Sequence, residues 1–283
     1  IKKILRFSVW TFYGKFVLIF IHNILNIILN LFYGTAVNGS LGMSRKLGNL
    51  VSQFVSNFQI ALNPAITKSF AQKKFSQLNN LLFDGSKYGF YLMIVIGFPV
   101  IYEMDTILNF WLEDVPKYCS EFATLIIINK ILDTLTSSIE LSAEATENIK
   151  NYKLVVYTFI LFSLPLSFLI LYLDYPPFYV FYISILFTVL SIFLRLVMLS
   201  KILKFSINDY FKSVIIPVSY IFISNILILF IYSKFLEPSN FRFLSNSLFV
   251  VFSTSLCIYF IGFNKKERNF IVGRLRNHLK FFK

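Results

Sequence analysis

A stripe of polar and charged side chains runs through an otherwise apolar segment between Asn38 and Asn63. Its members recur at alternating steps of four and three, the spacing of one helical face. They are Asn38, Gly42, Arg45, Asn49, Ser52, Ser56, Gln59 and Asn63. Cations and amides on one face offer hydrogen bonds to an anionic or polar solute. The stripe therefore predicts a solute-binding face on a helix, and Gln53 belongs to the same candidate surface.

Arg45 and Lys46 are the most informative residues of this segment, because a charge inside a bilayer is costly. At ~1.5 Å per residue from Asn38, they lie roughly 12 Å into a ~30 Å hydrocarbon layer. On insertion scales such a charge costs about 2.5–3.5 kcal/mol, and it usually marks a pathway. The planar fork of Arg45 suits two phosphate oxygens. Lys46 is rotated by about 100° and is expected at the edge of the same cavity.

Two further segments carry polar side chains on one helical side. The first holds Lys15, His22, Asn26 and Asn30, at steps of seven, four and four. The other holds Lys130, Asp133, Ser137, Glu140 and Glu144, at steps of three, four, three and four. Three polar faces inside a membrane are most easily satisfied by turning toward one hydrated cavity. We therefore expect these helices to line it together.

Two sets of candidates follow from the shared cavity. The substrate-binding candidates are Lys15, His22, Asn26, Asn38, Arg45, Lys46, Asn49, Gln53 and Lys130. The ion-coupling candidates are Asp133, Glu140 and Glu144, which would carry a proton or a sodium ion. Burial disfavours an ionised carboxylate, and Lys130 lies close to Asp133 in sequence, so Glu140 is expected to be the better proton carrier. No other cofactor and no metal site is expected.

Each ionisable candidate also has an ordinary structural explanation. Lys15 lies near a helix end, from which its ammonium group can reach water, and Glu144 can be solvated in the same way. His22 can be a satisfied buried imidazole. Lys130 and Asp133 are spaced to form a structural ion pair with each other.

The helices that must position these residues are predicted from apolar runs. The chain is 57% hydrophobic and only 14% charged, which is typical of a polytopic membrane protein. Runs of about 20 residues predict an all-α bundle of about eight transmembrane helices. Their approximate bounds are 8–32, 36–63, 88–109, 119–146, 154–173, 178–200, 214–233 and 244–263. Turns are predicted at Gly34, Asp84-Gly85, Pro116, Asn148, Pro176-Pro177, Asn208-Asp209 and Pro238.

The basic residues predict the orientation. The net charge is +13, but the cations cluster at the ends of apolar runs, which indicates positive-inside anchoring and argues against nucleic acid as a partner. With both ends cytoplasmic, most of the 27 basic residues lie inside, Arg195 among them, and only Lys117, Lys234 and Arg242 lie outside. The basic tail 264–283 is expected at the cytoplasmic lipid surface.

No catalytic constellation is visible. The sequence has no phosphate-binding glycine loop and no zinc-ligand spacing, and its two histidines lie in unrelated contexts. Cys119 and Cys257 fall at different predicted depths, so we expect no disulfide between them. We expect a protein that is not an enzyme, although Asp133 and Glu140 leave an intramembrane acid/base pair open as an alternative.

Several runs of the chain resemble the second half of the O-antigen (Wzx-type) polysaccharide flippases, a branch of the multidrug/oligosaccharidyl-lipid/polysaccharide exporter superfamily. The runs are NLFYGTAVNG at 30–39, Gly42, FVSNFQIALNPAI at 54–66, GSK at 85–87, WL at 111–112 and ATENIKNY at 145–152. The resemblance covers most of the chain up to the sixth predicted span. The last two spans match only in number and hydropathy. The sequence departs from the family pattern at Glu147, where Gly is common, and in lacking a first helix bundle.

The resemblance implies a fold and a function. Family members have two six-helix bundles and two extra helices, so residues 1–212 would be the second bundle and residues 213–283 the extra helices with a basic tail. Such a protein moves an undecaprenyl-diphosphate-linked oligosaccharide across the bacterial cytoplasmic membrane by alternating access. The implied partners are membrane lipids, the lipid-linked oligosaccharide and an N-terminal or second helix bundle. We expect the chain to be a fragment or to pair with such a bundle.

Two other classes remain open at the level of sequence. A multidrug cation antiporter of the same superfamily would use acidic cavity residues, and Asp133, Glu140 and Glu144 are available. A non-transporting membrane assembly protein is the other alternative. The charge of the transported substrate distinguishes the first of these from a flippase.

Overall fold

The computed structural model describes residues 2–144, 149–234, 242–265, 267–269 and 273, and these residues form helices without a strand among them. The α-helices are α1 (Lys2–Tyr33), α2 (Thr35–Ala71), α3 (Phe75–Tyr102), α4 (Met104–Trp111), α5 (Cys119–Glu144), α6 (Lys150–Leu161), α7 (Ser163–Tyr172), α8 (Tyr179–Leu203), α9 (Ile207–Tyr210), α10 (Ile216–Lys234) and α11 (Arg242–Cys257). Short π-helical segments, Phe211–Ile215 and Ile258–Gly262, precede α10 and follow α11. The predicted all-α bundle is confirmed.

Seven segments of the described chain are long and apolar enough to cross a membrane. They are Ser8–Tyr33, Phe75–Tyr102, Cys119–Glu144, Lys150–Tyr172, Tyr179–Leu203, Ile207–Tyr232 and Phe243–Gly262. Helix α2 is not among them, although its 37 residues make it the longest described helix. Polar residues on its stripe interrupt its apolar content. The second predicted span, 36–63, is thus a helix of sufficient length but of mixed polarity.

One predicted turn is wrong, because Asp84 and Gly85 lie inside α3. The third span therefore starts earlier than predicted and ends at Tyr102 rather than near residue 109. Gly85 permits close packing here and not a turn, since a Cβ at this position would lie 2.7 Å from the Ser138 Oγ of α5.

The other predicted turns have mixed outcomes. Gly34 separates α1 from α2 with a φ of 79°, in the left-handed region that favours glycine. Pro116 lies in the loop before α5, and Pro176-Pro177 lies in the loop before α8. Asn208-Asp209 lies within α9 instead, where the Ser206 side chain caps the helix by accepting a hydrogen bond from the backbone of Asp209. Asn148, Glu147, Pro238 and most of the tail 264–283 lie outside the described residues.

Helix α5 occupies the centre of the bundle, where it packs against α2, α3 and α8. Its apolar side chains are buried, among them Phe122, Ile127 and Ile139, each with 0% of its surface exposed. Hydroxyl groups of α2 hold the beginning of α5, since Ser40 donates to the Lys117 carbonyl and Ser44 to the Cys119 carbonyl. Cys119 and Cys257 are both free thiols, as predicted.

Gly48 sets the closest approach of α2 to α5, and we expect Gly48→Ala to weaken this contact. A Cβ at residue 48 would lie 2.6 Å from Ile126 Cγ2, closer than side-chain carbons pack. Such overpacking costs about 1–3 kcal/mol. Gly42→Ala on the same helix is the matched control, because nothing lies within 4 Å of the position that its Cβ would occupy. Thermal unfolding of the purified protein measures the difference. Equal unfolding temperatures for the two variants would contradict the proposed packing.

The last two long helices pack against α3, mainly through α11. Asn246 of α11 donates a hydrogen bond to the buried Glu103 at the end of α3, and Thr254 of α11 donates to Asn225 of α10. At the other end, Lys87 forms an ion pair with Glu267, beyond the last span. The predicted division of the chain at residues 212 and 213 stays a prediction.

Glu267 is held in its ionised form by its neighbours. Partial burial opposes this ionisation. However, hydrogen bonds from Lys87, the Asn264 backbone and Tyr88 outweigh burial and keep the pKa of Glu267 below its ordinary value. The ion pair thus fastens the segment after α11 to α3.

Candidate functional site

Two connected chambers lie among the helices α1, α2, α5 and α8. We call the first the cation chamber; it measures about 180 Å³ and its polar lining is His22, Arg45, Asn49, Asn129, Lys130, Asp133 and Ser184. We call the second the hydroxyl chamber; it measures about 290 Å³ and reaches α6 and α7 as well. Its polar lining is His22, Asn129, Asp133, Ser137, Glu140, Tyr157, Ser163, Ser184, Thr188, Ser191 and Arg195. His22, Asn129, Asp133 and Ser184 belong to both chambers and connect them.

Arg45 lies between α2 and α1 and is anchored on one side only. Its Nη1 donates to Asn26 Oδ1 at 2.8 Å, and its Nη2 contacts the His22 carbonyl oxygen at 3.4 Å. The side chain is half-buried, and no carboxylate lies within 4.0 Å of it among the described residues. A guanidinium has five N–H donors, so most of its hydrogen-bonding capacity is available to a ligand in the cation chamber.

Lys130 and Asp133 face the same chamber from α5 without forming an ion pair. Within the described part of the chain neither side chain has a hydrogen-bond partner, and they are not within 4.0 Å of each other. Asp133 is exposed to the space that connects the two chambers. The structural ion pair considered for Lys130 and Asp133 is therefore wrong, and both charges are available for other partners.

Glu140 has the partners that Asp133 lacks. One of its oxygens accepts hydrogen bonds from Lys153 at 2.7 Å and from Tyr157, and the other accepts from Arg195 at 2.5 Å. Lys153 also pairs with Glu144 at 2.8 Å. These five side chains, which we call the ionic cluster, join α5, α6 and α8.

The ionic cluster corrects two expectations. Arg195 is not a cytoplasmic anchoring residue, because it is buried within α8 and paired with Glu140. The ionic cluster also reverses the preference for Glu140 over Asp133 as a proton carrier. Two cations stabilise the Glu140 carboxylate, whereas no cation lies within 4.0 Å of Asp133 among the described residues. Asp133 is therefore the better candidate.

The structure brings six of the sequence candidates to the cation chamber or its edge. Arg45, Asn49, Lys130, His22 and Asp133 line it, and Asn26 holds Arg45. Glu140 lines the hydroxyl chamber. Lys15, Asn38, Lys46, Gln53 and Glu144 line neither chamber. Of these, Lys15, Lys46 and Gln53 are exposed, Asn38 is half-buried and Glu144 belongs to the ionic cluster.

The contribution of α8 was missed in the sequence, although one signal was present. Ser184, Thr188, Ser191 and Arg195 recur along α8 at steps of four, three and four, which is one helical face. Scattered hydroxyls in an apolar helix are common, which obscured this pattern. Arg195 itself lies within an apolar run, where a cation usually has a specific partner.

The arrangement is suited to binding a polar ligand. It combines two cations, one unpaired carboxylate, amides and hydroxyls in a space enclosed by long helices. Among the described residues, no group of three or more His, Cys, Asp or Glu side chains is placed to hold a metal ion.

Comparison with known proteins gives no further assignment. No protein-family model, no curated protein and no solved structure matches the chain.

Proposed function

We propose that this protein takes part in moving a polyprenyl-diphosphate-linked oligosaccharide across a bacterial cytoplasmic membrane. The observation that carries the proposal is the cation chamber, in which Arg45 and Lys130 face one polar space without a carboxylate partner within 4.0 Å among the described residues. Two cations face one carboxylate, Asp133, in this chamber, and the excess of positive charge favours an anionic ligand. The resemblance of residues 30–39 and 54–66 to polysaccharide flippases supports the same substrate class.

The chemistry of the chamber suits a diphosphate. Arg45 presents a planar donor fork that can bind two phosphate oxygens, and Lys130 adds a second positive charge from α5. Asn49 provides an amide on the adjacent turn of α2. The polyprenyl tail stays in the lipid while the head group crosses, so the protein needs a polar path only for diphosphate and sugars.

The exposed face of α1 and α2 supports a path that is wider than the chambers. His22, Asn30, Lys46, Gln53 and Asn57 are all exposed there, in helices of sufficient length to span a membrane. Exposed polar groups at membrane depth require water or another helix bundle. We propose that this face borders the substrate path and that a further bundle covers its opposite side. In this arrangement both ends of the chain are cytoplasmic, as the basic residues predict.

Asp133 is the group that we propose for coupling transport to a proton or a sodium ion. It lines both chambers, so its charge interacts electrostatically with a ligand in either of them. The second candidate function is a multidrug cation antiporter. It is favoured by the same carboxylate, because an acidic residue in the cavity can bind a cationic substrate.

Depletion of the protein in the cells that make it tests the proposal. We expect lipid-linked oligosaccharide to accumulate on the cytoplasmic leaflet and surface polysaccharide to be lost, because the precursor no longer crosses. Re-expression of the unaltered protein should restore both. Efflux of a cationic dye such as ethidium should not change. Normal surface polysaccharide together with increased ethidium retention would reject the flippase and favour the antiporter.

A further inference from the structure

The hydroxyl chamber has hydrogen-bonding groups that the protein itself does not use. Among the described residues, the hydroxyls of Ser163, Ser184 and Thr188 have no partner, whereas the Ser191 hydroxyl donates to a carbonyl of its own helix. The chamber thus presents groups that can both donate and accept. A ligand with several hydroxyl groups matches this lining better than an ion does.

Two deeper groups in the lining also lack partners. Arg195 is only 7% exposed and binds Glu140 through Nη1, but its buried Nε has no acceptor. The buried Asn129 Oδ1 has no donor. Both atoms are closed off from the chamber space, so the groups that can bind a ligand there are the hydroxyls and not these two.

Charge distinguishes this chamber from the cation chamber. Glu140 neutralises Arg195, and Glu144 and Lys153 complete a cluster of two carboxylates and two cations. The lining therefore offers no excess of cations for a phosphate. The apolar part of the wall contains Phe187, Ile21 and Ile160, which can contact the C–H face of a sugar ring.

We propose that the hydroxyl chamber is the subsite for the sugar that is attached directly to the diphosphate. This inference rests on the proposed function, because the diphosphate in the cation chamber places its neighbouring sugar at the connection formed by Asn129 and Ser184. A volume of about 290 Å³ has room for a sugar ring. The subsite selects the glycan by its first residue.

A binding experiment with two lipids tests this assignment. The purified protein in lipid nanodiscs is titrated with undecaprenyl diphosphate and, separately, with undecaprenyl-diphosphate N-acetylglucosamine. The unaltered protein should bind the sugar-bearing lipid more tightly. The variant carrying Ser163→Ala and Thr188→Val loses two hydroxyls that line only the hydroxyl chamber, with little change of shape, so that preference should fall by about three- to tenfold per hydrogen bond lost. Its affinity for undecaprenyl diphosphate should not change.

Ser200→Ala is the matched control, since this hydroxyl lies on the same helix as Thr188 and lines neither chamber. Unfolding temperatures show whether the variants fold alike, and Thr188→Val alone provides the milder change. If the double variant keeps the full preference, or if it weakens binding of both lipids equally, the sugar subsite is wrong while the flippase proposal stands. If the unaltered protein binds neither lipid, both proposals fail.

Discussion

Arg45→Ala should abolish surface polysaccharide while the protein still accumulates in the membrane. The alanine removes the guanidinium from the cation chamber and leaves Asn26 and His22 without their contacts to it. Hydrogen bonds to a charged group contribute about 1.5–3 kcal/mol each, so the loss of two to a diphosphate lowers affinity by at least about a hundredfold. The substitution is introduced at the native gene. Surface polysaccharide is then scored against the amount of membrane-inserted protein.

Two further variants separate binding geometry from charge. Arg45→Lys keeps the positive charge but lacks the planar fork, so we expect it to restore only part of the activity. Lys68→Ala removes an exposed cation from the last turn of the same helix and should leave the polysaccharide unchanged. Normal polysaccharide in the Arg45→Ala strain would overturn the assignment of Arg45 to the diphosphate.

Periodicity in the sequence was sufficient to predict part of the site. The stripes on α1, α2 and α5 brought His22, Arg45 and Asp133 to one cavity, because a helix places residues three and four apart on the same side. Lys46 is next to Arg45 in sequence, yet it is exposed and lines neither chamber. Consecutive residues of a helix point about 100° apart, and this rotation places Arg45 in the cavity and Lys46 outside it.

The rest of the site depends on contacts between distant segments. Arg195 and Glu140 are 55 residues apart, and no local sequence pattern predicts that α8 packs against α5 so that these two side chains meet. The same limitation explains Gly85, which is typical of a turn in sequence but accommodates the Ser138 side chain of α5. Local patterns predict which face of a helix is polar, and only the packing shows what that face contacts.

Glu140→Gln should destabilise the bundle strongly, since the ionic cluster depends on this carboxylate. Glu140 binds both Lys153 and Arg195, which are 3% and 7% exposed. Removing one partner of a buried ion pair costs about 3–5 kcal/mol, because the remaining charge stays buried without compensation. Thermal unfolding in detergent measures the effect. Glu121→Gln is the control, since this glutamate is exposed in the first turn of α5.

A double variant distinguishes a structural role of Glu140 from ion coupling. If the cluster serves stability, Glu140→Gln combined with Arg195→Gln should lose less stability than the sum of the two single changes, because the pair that each breaks is the same one. A coupling role predicts a different result. Glu140→Gln would then unfold at nearly the temperature of Glu121→Gln, while transport and its dependence on protons or sodium would be lost. That outcome would return the coupling role from Asp133 to Glu140.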